Sequence, residues 1–353
     1  MAGGGAERQV AILAAAQVAA GDEIHVALVR GGPNLAILDE AGASLHWIPA
    51  WSYYDPGIVP RLRRILREVK PAIVQSWVLQ MDVAAGIAAL SSGIPWVLCE
   101  RVSAGHYQKS PKAWLRVQIG SHASAIVANS SVGADYWRSR RTANLPTFVI
   151  PNAVPFASIA GARAAVDGSL PCRPLILFGG RLVSQKNPTV MIEAMVEVLR
   201  RIDGCAMICG DGPEAPQLLR LVQQSGMAQR IHIVGYRADF WSVMKSAAVF
   251  VSVSLFEGQP NAVLEAMACR CPLVVSDIPE HREFLDEHSA WLPSPASKRD
   301  IARAIEEALT RPDVAGQKAE AAWSRVQRYT PESCAEQYGE VYRQVIDKGG
   351  SNR

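Results

Sequence analysis

The 353-residue chain has no apolar run of the roughly 18 residues that a spanning helix requires, so no spanning helix is expected in it. Its start, MAGGGAERQ, carries an acid and no cationic stretch ahead of an apolar one, so no signal peptide is expected. Internal repeats at solenoid or propeller periods are missing. Cysteines are few: seven, odd in number and dispersed, which fits a reducing compartment better than a disulfide framework. Cys205/Cys209 and Cys269/Cys271 are closely spaced, but no histidine or second cysteine pair stands at zinc-like spacing. They read as buried small side chains. No Asp-x-Asp stands at a strand end to hold a divalent ion. Strong charge is missing too. The net charge is +3, with no basic face or motif of a nucleic-acid module.

What is present describes a soluble globular protein, 49% hydrophobic and 20% charged, and too long for one core. Up to Ile150 there are 14 Lys and Arg against 10 Asp and Glu; the remainder has 22 against 23. The first half therefore tolerates an anionic surface or substrate without demanding one. Short apolar runs recur between helical stretches: IHVALV, SLHWIP, AIVQSW, WVLCE, AIVANS and TFVIPN in the first half, then LILFGG, AMICG, IHIVGY, VFVSVS, PLVVSD and AWLP. Continuous apolar runs suit strands covered on both faces, and the gaps hold helices, so the fold class is α/β with parallel, doubly wound sheets. Two Rossmann-like domains are expected, 1–154 and 175–330, with a small-residue and proline-rich linker at 155–174. A helix at 331–348 is read as packing back on the first domain.

The most informative stretch is FEGQPNAVLEAMA, Phe256 to Ala268. The strand VFVSVS ends just before it, which puts Glu257 in a loop at the carboxyl end of a strand, where ligands of such sheets bind. Pro260 suits the first position of a helix running through Asn261 and Ala262, with Glu265 on its second turn. The free N–H groups and positive dipole end of that helix could hold a diphosphate. A carboxylate near a diphosphate is repelled unless it faces something else, and sugar hydroxyls are the natural alternative. The pattern suggests a nucleoside diphosphate-sugar, with Glu265 on the ribose diol and Glu257 on the donor sugar. In isolation, a loop acid beside a helix that carries another acid would look the same.

Other loops at the same edge add weight. FGGRLVSQKN brings Arg181 and Lys186, two cations able to neutralise a leaving diphosphate as charge develops on it. ICGDGP adds a glycine turn that a ligand can approach closely, and VGYRADF offers Tyr236 and Arg237 as borders for a base. GGRL…QKN, then GDGP, then FEGQPNAVLEAMA followed by CPLVVSD resemble, in order, the family-4 retaining glycosyltransferases of the GT-B fold, also described as group 1. The resemblance covers about 175–295. It implies two Rossmann-like domains facing a cleft, and Arg181 and Lys186 on the diphosphate. It also implies Glu257 on the donor sugar, Glu265 on the ribose, and the backbone from Gly258 to Asn261 completing the phosphate seat. No cofactor is implied; the donor is a UDP- or GDP-linked sugar, transferred without a metal to a glycan or lipid-linked acceptor.

GGGAERQ, with Gly5, resembles the family's glycine loop at the start of the first helix, on the acceptor domain. Only Met1 and Ala2 precede it where a first strand should stand, so that strand is expected to be missing and the first helix poorly anchored. Gln80 stands where relatives often carry a histidine aimed at the donor sugar. It can hydrogen-bond a hydroxyl but cannot carry a proton. His25, His46, His106 and His122 read as structural. RLRRILREVK, with Leu62, Ile65, Leu66 and Val69 at helical spacing, reads as an amphipathic basic helix, and Lys109, Lys112, Trp114 and Arg116 as a second basic segment. Together they lead to the expectation of a cytoplasmic protein with weak peripheral contact at the inner, anionic face of a membrane. A nucleotide-sugar epimerase on a similar scaffold, and a nucleotide-sugar-binding protein without transferase activity, are the alternatives. Nucleic acid is not an expected partner.

Overall fold

A run such as WVLCE, with no polar alternation, is stable as a strand only where both faces are covered. A computed structural model describes residues 4–101, 111–140, 145–165 and 170–350. The chain forms two units, Met1–Ala153 with Tyr329–Arg353, and Val154–Arg328. In both, every ladder between named strands is parallel.

Numbered in chain order, the first unit contains strands β1 (His25–Leu28), β2 (Ser44–Trp47), β3 (Val74–Ser76), β4 (Trp96–Glu100), β5 (Ala125–Ala128) and β6 (Thr147–Val149). Its helices are α1 (Gly5–Ala19), α2 (Leu35–Ala41), α3 (Ile58–Val69), α4 (Leu79–Ser91), α5 (Pro111–Gly120), α6 (Ser131–Arg138) and the C-terminal α15 (Pro331–Gly350). The strands form two separate sheets, β1–β2 and β3–β4–β5–β6. Among the described residues no strand precedes α1, and the division falls where a central strand stands in the standard doubly wound order. Yet α1 is not poorly anchored, as the sequence led us to expect. Ala11 and Ala14 pack with Leu28 and Leu38 of one core, while Ile12 and Leu13 pack with Val97 and Val127 of the other. The Gln9 amide bonds the backbone of Ala153 in both directions, each at 2.8 Å. Gln17 Nε2 donates to the Tyr342 hydroxyl of α15 at 3.1 Å. The helix is held from its flanks rather than through a strand beneath it.

The second unit has one five-stranded sheet, built from β7 (Leu175–Gly179), β8 (Cys205–Cys209), β9 (Ile231–Gly235), β10 (Val249–Ser252) and β11 (Leu273–Val275). Its order is β11-β10-β7-β8-β9. Helices α7 (Phe156–Gly161), α8 (Pro188–Leu199), α9 (Ala215–Gln224), α10 (Phe240–Ser246), α11 (Asn261–Ala268), α12 (Pro279–Arg282), α13 (Lys298–Thr310) and α14 (Pro312–Val326) accompany it. Ile176, Phe178, Met195, Ile208, Val251 and Ile305 are among the fully buried side chains of its core.

Four expectations change. Residues after Val154 do not behave as a free linker, because α7 belongs to the second unit: Lys245 Nζ donates to the Ala162 carbonyl at 2.6 Å, and Ala165 N to Ser242 O at 3.0 Å. Small residues let that segment pack closely, which composition cannot distinguish from flexibility. AWLP contributes only an isolated bridge from Trp291 to Val274. Arg116 is no surface cation but is buried between two carboxylates. Cys205 is not a free thiol: it forms a disulfide with Cys172, 33 residues away, with the Cα atoms 5.9 Å apart. Lys109 and His106 lie outside the described residues.

Candidate active site

The order of the second sheet decides where its loops can cooperate. From β7 the chain moves outward through β8 and β9, then returns to the other side of β7 for β10 and β11. The switch point is therefore between β7 and β10, and a crevice outside the carboxyl ends of the strands opens there. The loops after these two strands carry Lys186 and Glu257.

Lys186 is set by its neighbours. Ser184–Lys186 is a single 3-10 turn, Asn187 adopts the left-handed conformation (φ 52°), and Pro188 starts α8. Asparagine tolerates that conformation better than most residues, and proline fits a first helical position. Asn187 Nδ2 also donates to Pro295 O at 2.8 Å. Gln185 ties this turn to the other loop: its Nε2 donates to Phe256 O at 2.9 Å, while its own carbonyl accepts from Leu255 N at 2.9 Å. So braced, Lys186 Nζ forms an ion pair with Glu257 Oε1.

Glu257 is buried and fully engaged. Ser254 Oγ donates to it at 2.6 Å, and its backbone N donates to Glu280 Oε1 of α12 at 3.3 Å. Behind this loop Ser276 Oγ donates to Ser254 O at 2.6 Å, and the His281 Nδ1–H donates to Ser276 O at 2.7 Å. That bond fixes the His281 tautomer, and burial lowers its pKa, so the ring is neutral behind the site. Burial alone would raise the Glu257 pKa; the Lys186 charge, its hydrogen bond and the Ser254 hydroxyl outweigh this and hold it below the usual 4.5. A carboxyl depressed in the folded state stabilises the fold above its unfolded pKa and loses that contribution as pH falls through the folded value. The second unit should therefore lose stability below about pH 4.5. Glu257→Gln should flatten that acid limb in calorimetric scans; an unchanged limb would show that this carboxyl is not the group responsible.

The helix after Glu257 begins at Asn261, so Pro260 stands one place earlier than expected, as the capping residue in extended conformation. Gly258 and Pro260 are buried; Asn261 and Ala262 are half-buried at the helix start. Glu265 is buried on α11, and its Oε2 accepts from Trp241 Nε1 of α10 at 2.7 Å. Arg181 is exposed after β7. The β7 and β8 loops approach so closely that a Cβ on Gly210 (φ 146°) would sit 1.9 Å from the Gly180 carbonyl oxygen. After β9, Tyr236 is exposed and Arg237 is paired with Asp239. Loops after β7, β9 and β10 thus bring Arg181, Lys186, Tyr236, Arg237, Glu257 and α11 to one edge. Gly5 lies in the first unit, next to Gly4, whose N donates to Glu7 Oε2 at 2.8 Å. Gln80 is exposed in the first turn of α4.

Sequence reasoning missed Gln185, Ser254, Trp241, Glu280 and His281. The stretch SDIPEHRE did carry a sign: an acid at the start of a helix that follows a strand end.

Lys186 and the buried Glu257 thus stand as a cation–carboxylate pair at the switch point, beside the start of α11. Residues 173–311 match the family model described as glycosyl transferases group 1, and residues 3–157 match that of glycosyltransferase family 4. The chain belongs to the family-4, group 1 glycosyltransferases. It is 29% identical over 178 residues to the alpha-D-kanosaminyltransferase of Streptomyces kanamyceticus, covering 49% of this chain and 46% of that protein. With the UDP-Gal:alpha-D-GlcNAc-diphosphoundecaprenol alpha-1,3-galactosyltransferase of Escherichia coli it shares 26% identity over 236 residues, 62% and 60% of the two chains. It spans less than two thirds of the length of these curated relatives. The crystal structure of Anabaena Alr3699/HepE in complex with UDP and glucose superposes with a TM-score of 0.82 at 18% identity, covering 97% and 96% of the chains. The GT-B fold of this family-4 member follows from that likeness.

Proposed function

We propose that this family-4 member is a retaining, metal-independent glycosyltransferase that moves a sugar from a nucleoside diphosphate-sugar to a glycan or lipid-linked acceptor. The observation that carries the reading is the Lys186–Glu257 pair at the β7/β10 switch point, beside the start of α11. Donor diphosphate on that helix start would compete with Glu257 for Lys186, releasing the carboxylate toward the sugar hydroxyls. Lys186 and the exposed Arg181 then neutralise charge as the bond between the anomeric carbon and the phosphate oxygen breaks. The acceptor oxygen bonds that carbon on the same face, and its proton passes to the departing diphosphate oxygen. No cofactor is required in this scheme. The first unit, 1–154, takes the acceptor, and a nucleotide-sugar donor implies work in the cytoplasm, with peripheral contact at an anionic membrane surface. Relatives named for diphosphoundecaprenol-linked acceptors support the lipid-linked class.

Thermal unfolding with UDP, GDP and ADP in turn tests the donor site. UDP, the nucleotide in the Anabaena complex, is expected to raise the Tm. At a hundred times its dissociation constant it adds about 2.7 kcal/mol to the unit that binds it. Glu265→Ala should weaken that shift severalfold while sparing turnover at saturating donor. Absence of any shift with all three nucleotides would remove the site assignment.

A further inference from the structure

Glu265 is a buried acid on the second turn of α11, and a buried carboxylate is tolerated only with donors close at hand. One donor is the indole of Trp241, half-buried on α10, whose Nε1 lies 2.7 Å from Glu265 Oε2. An indole N–H only donates and an ionised carboxylate only accepts, so this bond tethers one carboxylate oxygen. The neighbours of Trp241 hold α10 still. Gly179, at the end of β7, has no side chain where a Cβ would lie 2.0 Å from the Phe240 ring, so that ring rests against the strand end. It also meets Phe250 of β10 edge-on, with 6.5 Å between ring centroids. Val243 and Met244 are fully buried. Asp239, the capping residue of α10, accepts from Arg237 Nε at 2.8 Å, and Ser242 O accepts from Ala165 N at 3.0 Å.

We infer that Trp241 is a positioning residue: its N–H fixes the Glu265 carboxylate in the orientation that accepts the two hydroxyls of a donor ribose. A carboxylate has about four acceptor sites, and the indole takes one of them. Locking the rotamer beforehand removes ordering that binding would otherwise have to supply. Because α10 runs straight on from Tyr236 and Arg237, one short element sets both the border of the base and the acid on the ribose. Trp241 acts through Glu265 and does not itself touch the donor. The specificity it confers is for ribose over 2′-deoxyribose, since only ribose offers both hydroxyls. The inference rests on the proposed reading and deepens it, naming what makes the donor site select a ribonucleotide.

The test is calorimetric titration of the full chain with UDP and with 2′-deoxy-UDP. The parent chain should favour UDP at least about tenfold, the worth of one hydrogen bond to a charged acceptor. Trp241→Phe keeps an aromatic ring and removes the N–H. It should cut that preference to about threefold or less and raise the donor KM about fivefold, with a much smaller fall in kcat. A role in packing alone would weaken both nucleotides alike. In a Glu265→Ala background the same change should alter the preference no further, because the two residues act as one unit. The parent chain also gives a readout that needs no Trp241 variant. With nitrogen-15-labelled tryptophan, the indole N–H resonance that Glu265→Ala displaces should move on adding UDP and move less with 2′-deoxy-UDP. Full UDP preference in Trp241→Phe, or an indole resonance that neither nucleotide moves, would overturn the inference while leaving Glu265 on the ribose. A parent chain that binds both nucleotides equally would remove Glu265 from the ribose and the inference with it, and no binding of either would remove the donor site.

Discussion

Lys186→Ala is expected to lower kcat/KM by about a hundred- to a thousandfold, the range seen when one preorganised group facing developing negative charge is removed. The same change has a second consequence. Glu257 is buried, and its carboxylate accepts from Lys186, from Ser254 Oγ and, at 3.5 Å, from Gln185 Nε2. Removing the ammonium leaves the carboxylate with neutral donors, the Ser254 hydroxyl and the Gln185 amide, in place of a cation, and breaking a buried pair from one side costs about 3–5 kcal/mol. A fall in activity could then come from a loosened loop rather than a lost charge. The double variant Lys186→Met, Glu257→Gln separates the two, since an uncharged pair of similar shape relieves the buried charge. Its Tm should recover most of the loss of Lys186→Ala, while its activity stays at the level of the single variant or below. Recovery of activity together with Tm would mean that the ammonium only holds the loop, and the leaving-group role would fall.

How far the sequence made this legible follows from what kind of information each feature carries. The fold class was open to reading because runs such as LILFG and VFVS are continuous and strongly apolar, and that pattern has few other homes. Lys186 and Glu257 could be placed at the sheet edge because each lies in a short loop after a strand, and Glu265 because it sits in the helix that follows the second of these loops. What could not be read is pairing at long range. Gln185 with Phe256, Trp241 with Glu265 and Ser276 with Ser254 depend on strand order, and β7 beside β10 reverses the order of the chain. The disulfide between Cys172 and Cys205 is hidden for the same reason. The anchoring of α1 was misjudged differently: a missing strand argues for a loose helix only if nothing else holds it, and Gln9, Gln17 and α15 do.

Arg116 shows that limit most clearly, and its replacement should have the largest effect on stability. Beside Lys112 and Trp114 it reads as one more surface cation. Its helical position instead turns it inward, where Nε donates to Asp82 Oδ2 and Nη1 to Glu100 Oε2, both at 2.6 Å. All three side chains are buried, and Trp137 Nε1 also donates to Glu100 Oε2, at 2.9 Å. One arginine thus compensates two carboxylates and joins α4, α5 and the end of β4. Arg116→Met fills similar volume but removes the buried cation that Asp82 and Glu100 share, at a cost of about 3–5 kcal/mol. The first unit should lose on the order of ten degrees of Tm, with little change in the second unit's response to UDP. The dependence on pH gives the sign. Burial raises the Asp82 pKa above the usual 3.8 despite Arg116, so ionising Asp82 opposes folding, and that opposition fades as pH falls. Without Arg116 the Asp82 carboxyl moves further up, so the deficit of the variant should narrow in acid and widen toward neutral pH. Adding Asp82→Asn and Glu100→Gln should restore most of the Tm at neutral pH, because the amide that replaces the Glu100 carboxylate still offers Trp137 an acceptor. A deficit that is the same at every pH, or that the added amides do not relieve, would mean that Arg116 acts by packing alone.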